Sequence, residues 1–191
     1  VSKMSLPNGE LVSLKKFYQM RQQTDQLLEY IDGVVYMLPP PSTVHQRLSM
    51  RLAAQLYNLL ESGDCEVFSA PFDVKLSNEN IPGDKVVIPD LSVICDKSGL
   101  DDQQYTGAPT MIIEIISPSN QAHDLITKLN LYMQYGVKEY WIVNPLLNTI
   151  MVYALNEKAK YEQKDIVREK GIVTSSVLPD FSVDAEKFFQ Q

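Results

Sequence analysis

The run Met111-Ile112-Ile113-Glu114-Ile115-Ile116 limits what this chain can fold into more than any other segment. It is entered through Gly107-Ala108-Pro109 and left through Ser117-Pro118-Ser119. Its length, β-branched content and Gly/Pro bounds predict a strand buried on both faces. Side chains alternate along a strand, so Glu114 shares a face with Ile112 and Ile116, while Met111, Ile113 and Ile115 take the other. Neither face is left for water, and an ionised carboxylate buried without compensation is costly. Whatever fold holds this strand must bring something to Glu114.

A second carboxylate is misplaced in the same way. Val86-Val87-Ile88 runs through Pro89 into Asp90 and on into Leu91-Ser92-Val93-Ile94. Two such carboxylates suggest a hard cation such as Mg²⁺, which takes oxygen ligands and keeps several waters. The alternative is a buried salt bridge from Glu114 to Lys128 or an arginine. Lys128 can be placed by geometry. From a helix start near Ala122 it lies about 9 Å along the axis, and Glu114 lies about 10 Å back from the strand end at Ser117. If the helix folds back across the sheet, the two are level. At about 100° per residue, Ile126, Leu129 and Met133 form the apolar stripe and Lys128 lies on its margin, from where its amine can turn under toward the site or snorkel to water. Asp124, Lys128 and Tyr132 are spaced by four and form one ridge, although Asp124 also suits a first-turn acid facing the helix dipole.

Around this centre the pattern is legible. Residues 14–20 read as a short helix. Leu28-Glu29-Tyr30-Ile31, Asp32-Gly33 and Val34-Val35-Tyr36-Met37-Leu38 read as a hairpin, because Asp-Gly favours a type I′ turn. Glu29, in an alternating hairpin, reads as a surface residue or one near the metal. After three prolines, Ser42 is a suitable N-cap for an amphipathic helix of about five turns carrying Val44, Leu48, Leu52, Leu56, Leu59 and Leu60. His45 sits in its first turn, as a structural histidine or a group at the site. Strands are expected at 66–68, 72–76, 86–94 and 110–116, then a helix at 122–135 closed by Gly136, then a strand at 139–143. Residues 149–155 and 161–167 suggest a late hairpin, and 181–188 an apolar tail. Consecutive strands often lack helices between them, which favours an α+β fold with a central mixed sheet flanked by helices, an N-terminal hairpin and a C-terminal hairpin.

The chain has 191 residues, of which 45% are hydrophobic and 21% charged, which suits one domain spanning 1–191. No apolar stretch approaches the roughly 18–20 residues of a membrane span, and Val1-Ser2-Lys3-Met4 lacks the apolar core of a signal peptide, so a cytoplasmic protein with no membrane partner is expected. The net charge of −7 counts against a general nucleic-acid binder but leaves room for an enzyme that meets phosphate through metal ions. Cys65 and Cys95, in apolar surroundings and without a Cys-x-x-Cys spacing, read as small buried hydrophobes and indicate neither zinc nor a disulfide framework.

Pro89-Asp90, then Glu114 in an apolar strand, then Lys128 on the following helix resembles the PD-(D/E)XK nuclease superfamily, and in particular its restriction-endonuclease-like family known as Uma-two. The resemblance covers nearly the whole chain. It includes Glu29-Tyr30-Ile31-Asp32-Gly33, Pro39-Pro40 with His45 opening a helix, and Pro89-Asp90-Leu91-Ser92-Val93. It continues through Glu114-Ile115-Ile116-Ser117-Pro118-Ser119, Asp124 through Lys128 to Tyr132, and Gly136-Val137-Lys138-Glu139-Tyr140-Trp141-Ile142-Val143. It implies a restriction-endonuclease-like core, a Mg²⁺-dependent endonuclease site, His45 near the cleft, and a homodimer as the arrangement many nucleases use to cut two strands. Two positions depart from the pattern. Ile116 stands where the superfamily's lysine usually follows the glutamate, so Lys128 must supply the charge from the helix. Asn144-Pro145 stands where the family usually has an aspartate before proline.

The resulting expectation is a metal-dependent endonuclease acting on nucleic acid, with DNA first. Asp90, Glu114 and the Ile115 or Ile116 carbonyl would bind Mg²⁺, with Mn²⁺ as a substitute, and Lys128 would position water or stabilise the transition state. The secondary candidates are Glu29, His45, Asp124 and Tyr132. A non-catalytic module binding nucleic acid or protein on the same fold is the alternative.

Overall fold

The computed structural model describes residues 2–4, 11–117 and 123–190, with the backbone alone at 2–4 and 123–125. In chain order the elements are β1 (Ser2–Met4), α1 (Leu14–Arg21), β2 (Leu28–Ile31), β3 (Val34–Met37), α2 (Thr43–Leu60), β4 (Glu66–Ser69), β5 (Asp73–Leu76), β6 (Lys85–Val87), β7 (Leu91–Ile94), β8 (Gln104–Thr106) and β9 (Met111–Ile115). A π-helical turn (His123–Lys128) leads into α3 (Leu129–Tyr135). Then come β10 (Glu139–Asn144), β11 (Thr149–Leu155), β12 (Tyr161–Arg168), β13 (Ile172–Thr174), β14 (Ser182–Asp184) and α4 (Ala185–Phe189).

The expected mixed sheet has the order β12-β11-β10-β9-β7-β4, with β9 and β10 parallel and the other pairs antiparallel. Both of its faces are covered. Leu48, Leu52, Leu56 and Leu60 of α2 pack with Met111, Ile113 and Ile115 on one face, joined by Trp141, Phe181 and Phe188. Burying each of those leucines stabilises the fold by roughly 2 kcal/mol. Ile112 and Ile116 face the opposite core, with Leu131, Tyr132 and Tyr135 of α3 and with Val74 and Leu76 of β5. The alternation expected around Glu114 is therefore the one observed.

A second six-stranded sheet has the order β1-β3-β2-β6-β5-β8, where the sequence pattern suggests only the hairpin. It is built on the expected N-terminal hairpin, whose turn has positive φ at both Asp32 (48°) and Gly33 (88°). Residues 86–94, expected as one strand, are instead split between the two sheets. β6 pairs with β2 and β5, whereas β7 pairs with β4 and β9. Pro89 lacks the N–H that a continuous ladder requires, so the chain changes sheets there and Asp90 lies at the joint. Residues 181–188, expected as an apolar tail, instead include β14, paired antiparallel with β13, and most of α4.

The helix after β9 also differs in phase from the expectation. Ile126, placed in the apolar stripe by periodicity, is 63% exposed, whereas Lys128 is 2% exposed. The buried face is Lys128, Leu131, Tyr132 and Tyr135, at i, i+3, i+4 and i+7. Gly136 closes the helix in the left-handed region at φ 84°, as its position suggested.

Cys65 and Cys95 form a disulfide, which corrects their reading as separate buried hydrophobes. Antiparallel pairing of Glu66 with Ile94 sets the next residue pair, Cys65 and Cys95, directly opposite each other. Sequence spacing could not show this, because it depends on the register of β4 against β7.

Candidate active site

Asp90 emerges from the joint between the sheets, where the chain is held on both sides of Pro89. Before the proline, the Ile88 amide donates to Glu29 Oε1 at 2.8 Å. After it, the Asp90 carbonyl accepts from Ala70 at 3.0 Å. The Asp90 side chain then reaches across to β9, where its Oδ2 accepts from the Ile115 amide at 2.7 Å. A strand residue directs its N–H and C=O toward the same edge, so the Ile115 carbonyl leaves β9 on the side of Asp90. His45 Nε2 lies 3.0 Å from the same Asp90 oxygen. Ser42 caps α2 by accepting from the His45 amide, and this fixes the first turn that carries the imidazole.

Glu114 lies beside Asp90, with the Asp90 amide 3.4 Å from its Oε2. Its Oε1 accepts from Lys128 Nζ at 2.7 Å and from the Tyr132 hydroxyl at 2.9 Å. Lys128 Nζ also pairs with Glu29 Oε1 at 2.9 Å. Relative exposures are 0% for Glu29, 4% for Glu114 and 2% for Lys128, so these charges sit in a region where an unpaired ion would be expensive. The lysine can be buried because it sits between two carboxylates, and each carboxylate has further donors.

The three residues expected at the centre, Asp90, Glu114 and Lys128, are thus brought together, and Tyr132 and His45 hold the two carboxylates. Lys128 and Tyr132 share the ridge that their spacing suggested. Asp124 belongs to the same helical segment, but its side chain lies outside the described residues. Glu29 is not the surface residue its strand pattern allowed. Leu28 and Tyr30 face the core under α1, so alternation turns Glu29 to the opposite face, and there it meets Lys128. Alternation placed it on that face correctly but carried no sign that a second layer covers it.

Asp90, Glu114, Lys128 and His45 line a cleft of about 600 Å³ between α2, the 38–41 segment, residues 69–71 and the β10–β11 turn. Asn144 lines it from the end of β10. Its Oδ1 accepts from Leu146 and Leu147 at 3.0 and 3.2 Å, so it shapes the turn. Among the described residues no set of three His, Cys, Asp or Glu side chains converges as a metal cage. The donors lining the cleft nevertheless suit Mg²⁺. Asp90 and Glu114 offer carboxylate oxygens beside the Ile115 carbonyl, and this ion commonly uses one or two carboxylates, with waters and substrate phosphate completing its shell.

Three comparisons bear on this geometry. The sequence model of the Uma2 family, described as "Putative restriction endonuclease", matches residues 14–186. An uncharacterized protein of Synechocystis is 27% identical over 179 residues, covering 91% of this chain and 90% of its own length. A crystal structure from Anabaena variabilis, described as "a putative nuclease belonging to DUF820", superposes with a TM-score of 0.74 at 19% identity, covering 93% of this chain and 97% of that one. At that identity the likeness concerns the fold.

Proposed function

The chain belongs to the Uma2 family, and on that premise we propose that it is a Mg²⁺-dependent endonuclease that hydrolyses phosphodiester bonds of nucleic acid, DNA first. The observation that carries this reading is the meeting of Lys128 and Glu114 at 2.7 Å, beside Asp90, in the lining of a cleft. Asp90, Glu114 and the Ile115 carbonyl would hold the ion. When bound, the ion polarises the phosphate and lowers the pKa of an attacking water. Water oxygen adds to phosphorus and gives up a proton to solvent, the bond to the leaving oxygen breaks, and that oxygen takes up a proton from solvent.

The chain's own groups have separate tasks in this scheme. Lys128 orients the water or offsets negative charge accumulating on the phosphate, an interaction that strengthens toward the transition state. Glu29 and Tyr132 fix that lysine and Glu114 from the side away from substrate. His45 and the Ile115 amide hold the Asp90 carboxylate to one rotamer, so little reorganisation is required at the moment of reaction.

A second reading is a non-catalytic module that binds nucleic acid or protein in the same cleft. It is favoured by one observation, the engagement of the Lys128 ammonium by two carboxylates at 2% exposure, which is also how a purely structural ion pair would look. Incubation with supercoiled, linear and single-stranded DNA and with RNA in Mg²⁺ or Mn²⁺ separates the two. Wild type should cleave at least one of these. Asp90→Ala, Glu114→Ala and Lys128→Gln should each be slower by at least ~100-fold, since such groups are typically worth about 3 kcal/mol. Near-wild-type cleavage by a folded variant removes that residue from the mechanism, and a wild type inert on every substrate removes the hydrolase reading.

A further inference from the structure

We infer that the cleft admits a single-stranded segment of roughly one or two nucleotides, with a base against its apolar wall, and does not accept an intact duplex. The inference rests on nucleic acid being the occupant of the cleft. Its first support is depth. Glu114 and Lys128 line the cleft yet are only 4% and 2% exposed, so they offer a phosphate little surface, and a flexible single strand can fit its backbone to so narrow an access more readily than a rigid double helix. The second is volume, since about 600 Å³ falls within the range that encloses one small organic ligand.

The third support is the chemistry of the walls. Leu38, Pro40, Met50, Pro71 and Leu146 line the opening, and Met50 and Leu146 stand at 68% and 69% exposure. Those two lips present apolar surface where a duplex-binding groove would present cations to the phosphates. Lys128 is the one lysine or arginine among the described lining residues, and the whole chain is acidic at −7. An unstacked base placed on this wall gains by shedding water from its face, and that gain does not depend on charge. One cation is positioned just beyond. Pro145 borders both the cleft and a small neighbouring dent that contains Arg47 and Arg51. Arg51 is occupied by the Phe188 and Gln190 carbonyls, whereas Arg47 is exposed and would meet the next phosphate of a strand leaving past Pro145.

The test is fluorescence anisotropy of the unaltered full chain in Ca²⁺, a hard cation that takes the same oxygen ligands but is larger and more loosely coordinated than Mg²⁺ and so is used here to hold hydrolysis back, with a labelled 12-nucleotide DNA. That DNA is offered as single strand and as blunt duplex, and an RNA of the same sequence distinguishes the two sugar backbones. The expected result is at least tenfold tighter binding of a single strand than of the duplex. Met50→Asp and Leu146→Asp should each weaken single-strand binding at least fivefold. With Lys128 and Arg47 as the cations placed to meet phosphate among the described residues, affinity should fall by no more than about sevenfold between 50 and 200 mM salt. Equal or tighter duplex binding, an affinity indifferent to the lip substitutions, or no binding of any oligonucleotide overturns the inference. Cleavage by the wild type is read separately. Single-strand binding without cleavage ends the hydrolase reading and leaves this inference standing, whereas cleavage of duplex at the single-strand rate does the reverse.

Discussion

Glu29 and Lys128 meet at 2.9 Å between Oε1 and Nζ, one from the N-terminal hairpin and the other from the helical segment after β9, both side chains buried. The same Glu29 oxygen accepts from the Ile88 amide, two residues before Asp90, so one carboxylate ties the lysine to the segment that carries the aspartate.

Glu29→Ala removes an acceptor from a buried amide and half of the pairing of a buried ammonium. An unpaired buried donor alone costs about 1–3 kcal/mol, so a loss of at least ~2 kcal/mol is expected in urea unfolding. Glu29→Gln keeps an oxygen for Ile88 and loses only the charge, and should cost less than half as much. Two variants as stable as wild type would show that the contact carries no weight.

Glu114→Gln tests the metal through stability alone. Without metal, Lys128 retains Glu29 as a partner, so the variant should melt close to wild type, within about 1 kcal/mol of it. With Mn²⁺ at 100 times its dissociation constant, wild type should gain about 2.7 kcal/mol and the variant far less. A strongly destabilised variant beside a wild type indifferent to Mn²⁺ would identify the Glu114–Lys128 pair as purely structural.

Asn144→Asp restores the carboxylate that the family usually carries before the proline. The Asn144 oxygen already accepts two amides of the β10–β11 turn, and an aspartate keeps both bonds, so cleavage should change by less than about threefold. A tenfold gain in a Mg²⁺ assay would mean that this position is a required ligand weakened in this chain.

The Cys65–Cys95 link closes a loop with a sequence separation of 30. Restricting a loop of this size in the unfolded chain is typically worth about 3–5 kcal/mol. Cys65→Ser with Cys95→Ser, compared with wild type under oxidising and reducing conditions, should lower stability by roughly that amount. A wild type whose melt is indifferent to reductant would argue that the two thiols are unlinked in solution.

The sequence by itself determined the α+β class, the Asp-Gly hairpin, the Ser42 cap, the five-turn helix α2 and the anomaly at Glu114. Each of these depends on neighbours within a few residues or on simple periodicity. Asp90 and Glu114 stood out because a carboxylate interrupts an apolar run, which is visible without knowing its partner. Tertiary structure decided what periodicity could not weigh. Ile126 was expected inside and Lys128 on the margin because hydropathy scores a lysine as solvated. The fold reverses the two, since carboxylates from two other strands offset the cost of burying the ammonium. Glu29 followed the same rule, because alternation fixed its face but not the sheet-to-helix packing that covers it. The break at Pro89 divides two sheets, and the cysteine pair depends on the register of β4 against β7. Burial of an apolar side chain follows from its own chemistry, whereas burial of a charge depends on a partner that only the folded chain brings within reach.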